Sequence, residues 1–126
     1  ELKKQVETTL TRAQRLRRSS DFQRVRALGQ TWVNRWLVLS VLVNDVGSVR
    51  VGVAASRRVG GAVKRSRARR LIREAIRSRL GQISGSWDLV FVARKALVDA
   101  SFEEVDRAVS QLLGQAGLLP ELEIEK

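Results

Sequence analysis

The sequence predicts a single α+β domain, a sandwich of helices on a sheet with the order α-β-β-β-α-β-α. Three observations predict it. Apolar residues recur at helical spacing near residues 22–28, 62–80 and 105–113. Between these stretches they alternate with period two or run on continuously, as strands require. A length of 126 residues is enough for one core and too short for two.

Residues 1–18 lack a sustained apolar face beyond Leu10 and Leu16 and read as a mobile basic arm. Its first part, 1–14, is assigned as an N-terminal arm outside a domain of residues 15–114, and 115–126 are assigned as an acidic tail, loose after Pro120. Ser20 and Gln23 have the spacing of a capping box, so a first helix starts there, carries Phe22, Val25 and Leu28 on one side and stops at Gly29. From Thr31 to Val43 the chain reads as a strand. Leu37, Leu39, Val41 and Val43 fall on one face, with Trp36, Val38, Ser40 and Leu42 on the other. Asn44, Asp45 and Gly47 suit a turn, and Val49, Val51 and Val53 alternate with Arg50, Gly52 and Ala54, which predicts an antiparallel hairpin. A long helix is expected from about Ala62 to Leu80, a strand over Trp87–Ala93, and a last helix from the capping box Ser101/Glu104 to Gly114. That helix turns Val105, Ala108, Val109, Leu112 and Leu113 inward.

The charge is the unusual feature. Lys and Arg number 24 against 13 Asp and Glu, a net of +11. Residues 1–79 hold 20 of the basic groups and only 5 of the acids. Such a surplus suits a polyanion, because Lys and Arg that neutralise phosphates release condensed counterions. Nucleic acid leads. An anionic membrane surface is the rival, but no stretch approaches the ~18 apolar residues of a membrane span, and no targeting or lipidation signal is visible. A soluble intracellular protein is expected. The chain has no Cys and no His, which excludes disulfides, thiol nucleophiles, imidazole acid–base chemistry and the common zinc sites. The densest acidic group, Glu103, Glu104 and Asp106, sits in the first turn of the last helix, where capping and the helix dipole account for it. No catalytic or metal-binding residues are assigned.

In the 62–80 helix, Ala68, Leu71, Ile72, Ala75 and Ile76 gather on one arc, and Arg67, Arg69, Arg70, Arg73 and Arg77 on the opposite one. Between Arg57 and Arg79 lie ten basic residues and one acid, Glu74, which is placed to pair with Arg70 or Arg77. Like charges at i, i+3 and i+4 repel by a few tenths of a kcal/mol per pair, so the arrangement favours a bound anion. Arginine rather than lysine dominates, and a planar guanidinium grips phosphate bidentately or stacks on a base.

The run Ala62, Val63, Lys64, Arg65, Ser66, Arg67, Ala68, Arg69, Arg70, Leu71, Ile72, Arg73, Glu74 resembles the signature A-V-x-R-N-R-x-K-R-x-x-R-E of the protein subunit of bacterial ribonuclease P. Val51, Gly52, Val53, Ser56, Arg57, Arg58, Val59 and Gly60 are similar to the strand and loop that precede it in that family. Leu16, Asp21, Phe22 and Val25 resemble the family's opening, and Ala93, Arg94 and Lys95 fit after the last strand. The resemblance runs from about Arg15 to Leu113. It implies a partnership with the catalytic RNA of ribonuclease P and with precursor tRNA, whose 5′ leader the holoenzyme removes. The RNA would do the chemistry. It also implies that the basic helix joins two parallel strands by a left-handed crossover, against the general right-handed rule. No cofactor is expected on the protein itself, Mg2+ is expected for the holoenzyme, and neither a membrane nor a small-molecule substrate is implied; the location would be the bacterial cytoplasm.

The residues carried over as RNA-binding are Arg57, Arg58, Lys64, Arg65, Ser66, Arg67, Arg69, Arg70, Arg73 and Arg77. A leader-binding cleft would hold Phe22, with Arg26 and Ser40 standing where relatives often place aromatics, and Trp36 on the strand face assigned to Ser40. The three tryptophans also read as packing residues. Ser66 replaces the family's Asn and keeps a hydroxyl for phosphate but loses the amide's paired donor and acceptor. A general RNA-binding or ribosomal protein using the same helix is the alternative from another class, and a stand-alone nuclease a third.

Overall fold

A computed structural model describes residues 10–119. Among them, helices α1 (Ser19–Leu28), α2 (Ala62–Arg77) and α3 (Phe102–Gln115) flank one sheet of strands β1 (Gln30–Val33), β2 (Leu37–Val43), β3 (Arg50–Ala55) and β4 (Trp87–Ala93). The order of elements is the expected one. None of the helices is long and apolar enough to cross a membrane.

The sheet runs β1-β2-β4-β3. β4 pairs antiparallel with β2 and parallel with β3, so the expected β2–β3 hairpin does not form. The reason lies in the faces of the strands. Asp88, Leu89, Val90 and Phe91 of β4 are all buried, whereas β3 carries the half-exposed Arg50 and the side-chain-free Gly52. A strand apolar on both faces belongs in the interior of a sheet. The long connection through α2 places β4 there and makes β3–α2–β4 a parallel crossover unit.

The stretch read as one strand from Thr31 is two. Asn34 breaks it: its side-chain oxygen accepts from the backbone N–H of Trp36 (3.0 Å) and Leu37 (2.9 Å), folding β1 back onto β2. An Asn side chain that imitates the backbone acceptor is a common way to make such a turn.

The main core lies between the sheet and α2 with α3. Leu37, Leu39, Val41, Val51, Leu89 and Phe91 meet Ala68, Leu71, Ile72, Ala75 and Ile76 of α2 and Val105, Ala108, Val109, Leu112 and Leu113 of α3. These are the inward arcs that the helical spacing predicts. Ser101 and Glu104 form their capping box at the start of α3. Helix α2 stops at Arg77, three residues short of expectation, and a 3-10 turn over Leu80–Gln82 follows.

The opposite face carries α1 on a smaller cluster of Leu16, Val25 and Val90, with Phe22, Leu42 and Val92 half-buried around it. Helix α1 begins one residue before the expected cap, with Arg18 at the N-cap position and no side-chain cap bond, so the Ser20/Gln23 box is absent. Asp21 instead faces Arg24 at 3.4 Å. Residues 10–18 are not a free arm either. Leu10 and Leu16 are buried, Thr11–Gln14 close a 3-10 turn, and the Leu16 N–H donates to the Val51 carbonyl on the free edge of β3. Covering part of an edge strand in this way satisfies backbone groups that would otherwise face solvent. The start of the expected N-terminal arm, residues 1–9, and the acidic tail from Pro120 on lie outside the described residues.

Candidate nucleic-acid interface

Helix α2 is positioned by its apolar arc, which sinks into the core and turns the cationic residues away from it. The loop before it is set by Gly60, whose φ of +143° lies in the region that glycine tolerates best. Arg57, Arg58, Lys64, Ser66 and Arg70 are exposed, and Arg65, Arg69, Arg73 and Arg77 are half-buried along the same flank. Ser66 accepts from Arg69 at 3.3 Å. Among the described residues, Glu74 makes no ion pair, so the face is less compensated than the expected pairing with Arg70 or Arg77 implied.

Arg67 has a different task. Its guanidinium donates to the carbonyl oxygens of Val98 (3.2 Å) and Ala100 (3.0 Å), tying α2 to the segment that leads into α3. Its placement among the outward arginines is thus corrected: two of its five N–H donors are turned inward to backbone carbonyls. Arg79 is similarly engaged, in a two-pronged pair with Asp106. The arginine holds the Asp106 carboxyl below its usual range, against a smaller opposing effect of burial. With Glu104 in the capping box and Asp106 so paired, two of the three acids in that turn have structural work.

A further cluster of positive charge arises where chain-distant segments meet. Arg15 and Arg17, from the segment before α1, share a cavity of about 270 Å³ with Arg69 and Arg73 of α2. Its apolar walls are Leu10, Leu16, Phe22, Val51 and Val53, and among the described residues no carboxylate lines it. Burial, and then the nearby charges of Arg69 and Arg15, push the Arg73 pKa below its ordinary value. An arginine stays charged regardless, so an anion bound here would offset both the burial and the repulsion. Arg15 and Arg17 escaped the sequence reading because nothing local links an N-terminal arginine to a helix more than 50 residues on.

Phe22 also lines a second depression, a groove of about 400 Å³ between α1 and β2 with Gln23, Arg26, Ala27, Thr31, Val38 and Ser40. The ring lies against Gly52, where even a Cβ would come within 2.6 Å of its Cζ atom. Three of the four expected cleft residues, Phe22, Arg26 and Ser40, therefore meet. Trp36 does not. It sits in the β1–β2 turn rather than on the strand, with the Arg35 guanidinium 5.6 Å from its ring centre, and packs toward α3 beside Arg107, Ala108 and Gln111. Thr31 and Gln23 are added to the groove, and the signal for Thr31 was the Asn34 turn that pairs it with Ser40.

Helix α1 is clamped above this groove by Asp88. The carboxylate is fully buried and accepts from Arg24 (2.9 Å), from Arg50 through Nε and Nη2 (both 2.9 Å) and from Asn44 (2.8 Å). Burial alone would push the Asp88 pKa up, but these hydrogen bonds outweigh it and hold the carboxyl below its usual range. The same bonds push the pKa values of Arg24 and Arg50 upward.

The chain's similarities to known proteins cover this whole arrangement. The family model described as Ribonuclease P matches residues 10–117. The chain is 45% identical over 112 residues to the ribonuclease P protein component of Chloroflexus aurantiacus, covering 88% of this chain and 83% of that one. To the component from Herpetosiphon aurantiacus it is 43% identical over 109 residues, with 86% and 89% covered. Among solved structures, the RNase P protein of Staphylococcus aureus superposes with a TM-score of 0.79 at 26% identity, over 86% of this chain and 100% of that one. The Thermotoga maritima protein gives 0.72 at 28% identity, over 80% and 96%. Since the match takes in the groove, the basic helix and the sheet that positions both, the chain belongs to the ribonuclease P protein family.

Proposed function

We propose that the chain is the RNA-binding subunit of a ribonuclease P, which with its catalytic RNA removes the 5′ leader from precursor tRNA. The observation that carries the reading is the convergence of Arg15, Arg69 and Arg73 on one cavity that no carboxylate lines among the described residues, directly beside a groove and joined to it through Phe22. The exposed cations of α2 and its preceding loop, Arg57, Arg58, Lys64 and Arg70, with Arg65, Arg69, Arg73 and Arg77 beside them, would engage phosphates of the catalytic RNA. The groove at Phe22, Arg26 and Ser40 would hold the single-stranded leader, strengthening recognition of precursor over product. Bond cleavage and the Mg2+ it requires are assigned to the RNA subunit, and the cytoplasm is the expected location.

Reconstitution with a bacterial catalytic RNA tests this. Cleavage of precursor tRNA at low Mg2+ should be faster with the protein than with RNA alone, and the purified chain should cut nothing by itself. No acceleration would return the chain to a general RNA-binding role. Phe22→Ala should weaken binding of precursor more than of mature tRNA; equal loss would leave Phe22 as a packing residue only.

A further inference from the structure

We propose that the α1–β2 groove of this chain takes its single-stranded RNA chiefly by phosphate, with Phe22 offering one stacking surface and Arg26 setting the salt dependence. This rests on the assignment of the groove to the leader.

The lining residues point this way. Phe22 is the one aromatic side chain among them, and its packing on Gly52 holds the ring in place rather than leaving it free to follow several bases. Stacking is sequence-tolerant and scales with the number of aromatic platforms, so a single ring supports little of it. The floor is polar but self-satisfied. Thr31 and Ser40 place their hydroxyl oxygens 3.1 Å apart, and Ser40 is only 2% exposed. A rotating hydroxyl donates or accepts as its neighbour demands, which makes it a poor reader of base identity.

Arg26 supplies what remains. It follows Phe22 by four residues on α1, so both side chains leave the same side of the helix. It is exposed and makes no ion pair or hydrogen bond among the described residues, and it is the one charged side chain lining the groove. Asp21, the nearest acid on α1, is already opposite Arg24. A free guanidinium four residues from the ring can meet the phosphate of a nucleotide whose base lies on Phe22.

The test uses the reconstituted holoenzyme, mature tRNA, and precursor tRNAs with five-nucleotide leaders of A, U or C. The quantity read is the ratio of precursor to mature affinity between about 50 and 200 mM monovalent salt. The ratio should fall with salt and differ by less than about threefold among leaders, since rotating hydroxyls discriminate poorly. Arg26→Gln should remove about 0.7 from the log–log slope, a change of about 2.5-fold over that range, and Arg26→Lys should keep it. Arg26→Phe, which replaces the charge by a second stacking surface, should make the ratio insensitive to salt. The proposal is overturned by a wild-type ratio that ignores salt, by an unchanged slope in Arg26→Gln, or by a preference above about tenfold among wild-type leaders. A ratio of one for every leader would instead remove the leader assignment itself, so the two failures are distinct.

Discussion

On one face of the sheet, α2 and α3 together bury ten side chains, five each, in a continuous apolar layer. On the other, α1 buries Val25 alone and is held by the Arg24–Asp88–Arg50 clamp. The difference separates two tasks. Apolar layers fill space, and each fully buried large side chain stabilises by about 1.5–3 kcal/mol. A point clamp fixes position without filling space, and so leaves a groove open beside it. The candidate leader site lies on the clamped face, while the cationic flank of α2 is carried by the packed one.

The apolar layer is the costlier of the two faces to disturb. Phe91→Ala, at a fully buried position, should destabilise by about 3–5 kcal/mol in chemical unfolding, through lost transfer energy and the cavity left behind. Should it cost less than a clamp mutation, the division of labour fails.

Asp88→Asn should cost about 1–3 kcal/mol, below the usual figure for an orphaned buried charge, because Arg24 and Arg50 keep side-chain exposures of 36% and 26% and can return to water. The pH dependence follows from the lowered carboxyl pKa. That stability is present above the ordinary carboxylate range, near pH 4, and is lost as pH falls through the depressed folded-state value. Acid titration of unfolding should therefore be steeper for wild type than for Asp88→Asn. The variant should also weaken precursor binding more than binding of mature tRNA, since the clamp holds one wall of the groove.

Two arginines on α2, six residues apart, sharpen the contrast further. Arg67→Ala gives up charge-assisted hydrogen bonds to two backbone carbonyls and should cost about 1.5–3 kcal/mol of stability. Arg73→Ala relieves repulsion with Arg69 and Arg15 and should leave stability unchanged or raise it by a few tenths of a kcal/mol. It should also lower the salt slope of RNA binding by about one unit or slightly less. Melting curves and salt titrations of the same two proteins separate the roles. Equal behaviour of the pair would mean that α2 has one undivided cationic face.

Much of this was legible in the chain itself. The inward arcs of α2 and α3, the Ser101–Glu104 cap and the order of elements follow from helical and strand periodicity, which depend on neighbours three or four residues away. The signature around Arg65–Arg73 and the opening at Phe22 point to the family from the sequence alone. Local pattern failed where two local options compete. At Ser20 a capping box was available but the helix started at Ser19. At Asn34 a turn interrupted an apolar run that alternation alone would continue, which moved Trp36 away from Ser40's face of the sheet.

By itself, then, the sequence determined the fold class, the amphipathic basic helix and the charge surplus, because each is written in spacing and composition. Strand order, the Asp88 clamp, the inward turn of Arg67 and the Arg15–Arg69–Arg73 cavity were decided only by tertiary structure. Each depends on which surfaces meet after the chain has closed loops of tens of residues. The continuous apolar run of β4 marks it for the interior of a sheet, but which strands flank it there is settled only when those surfaces meet.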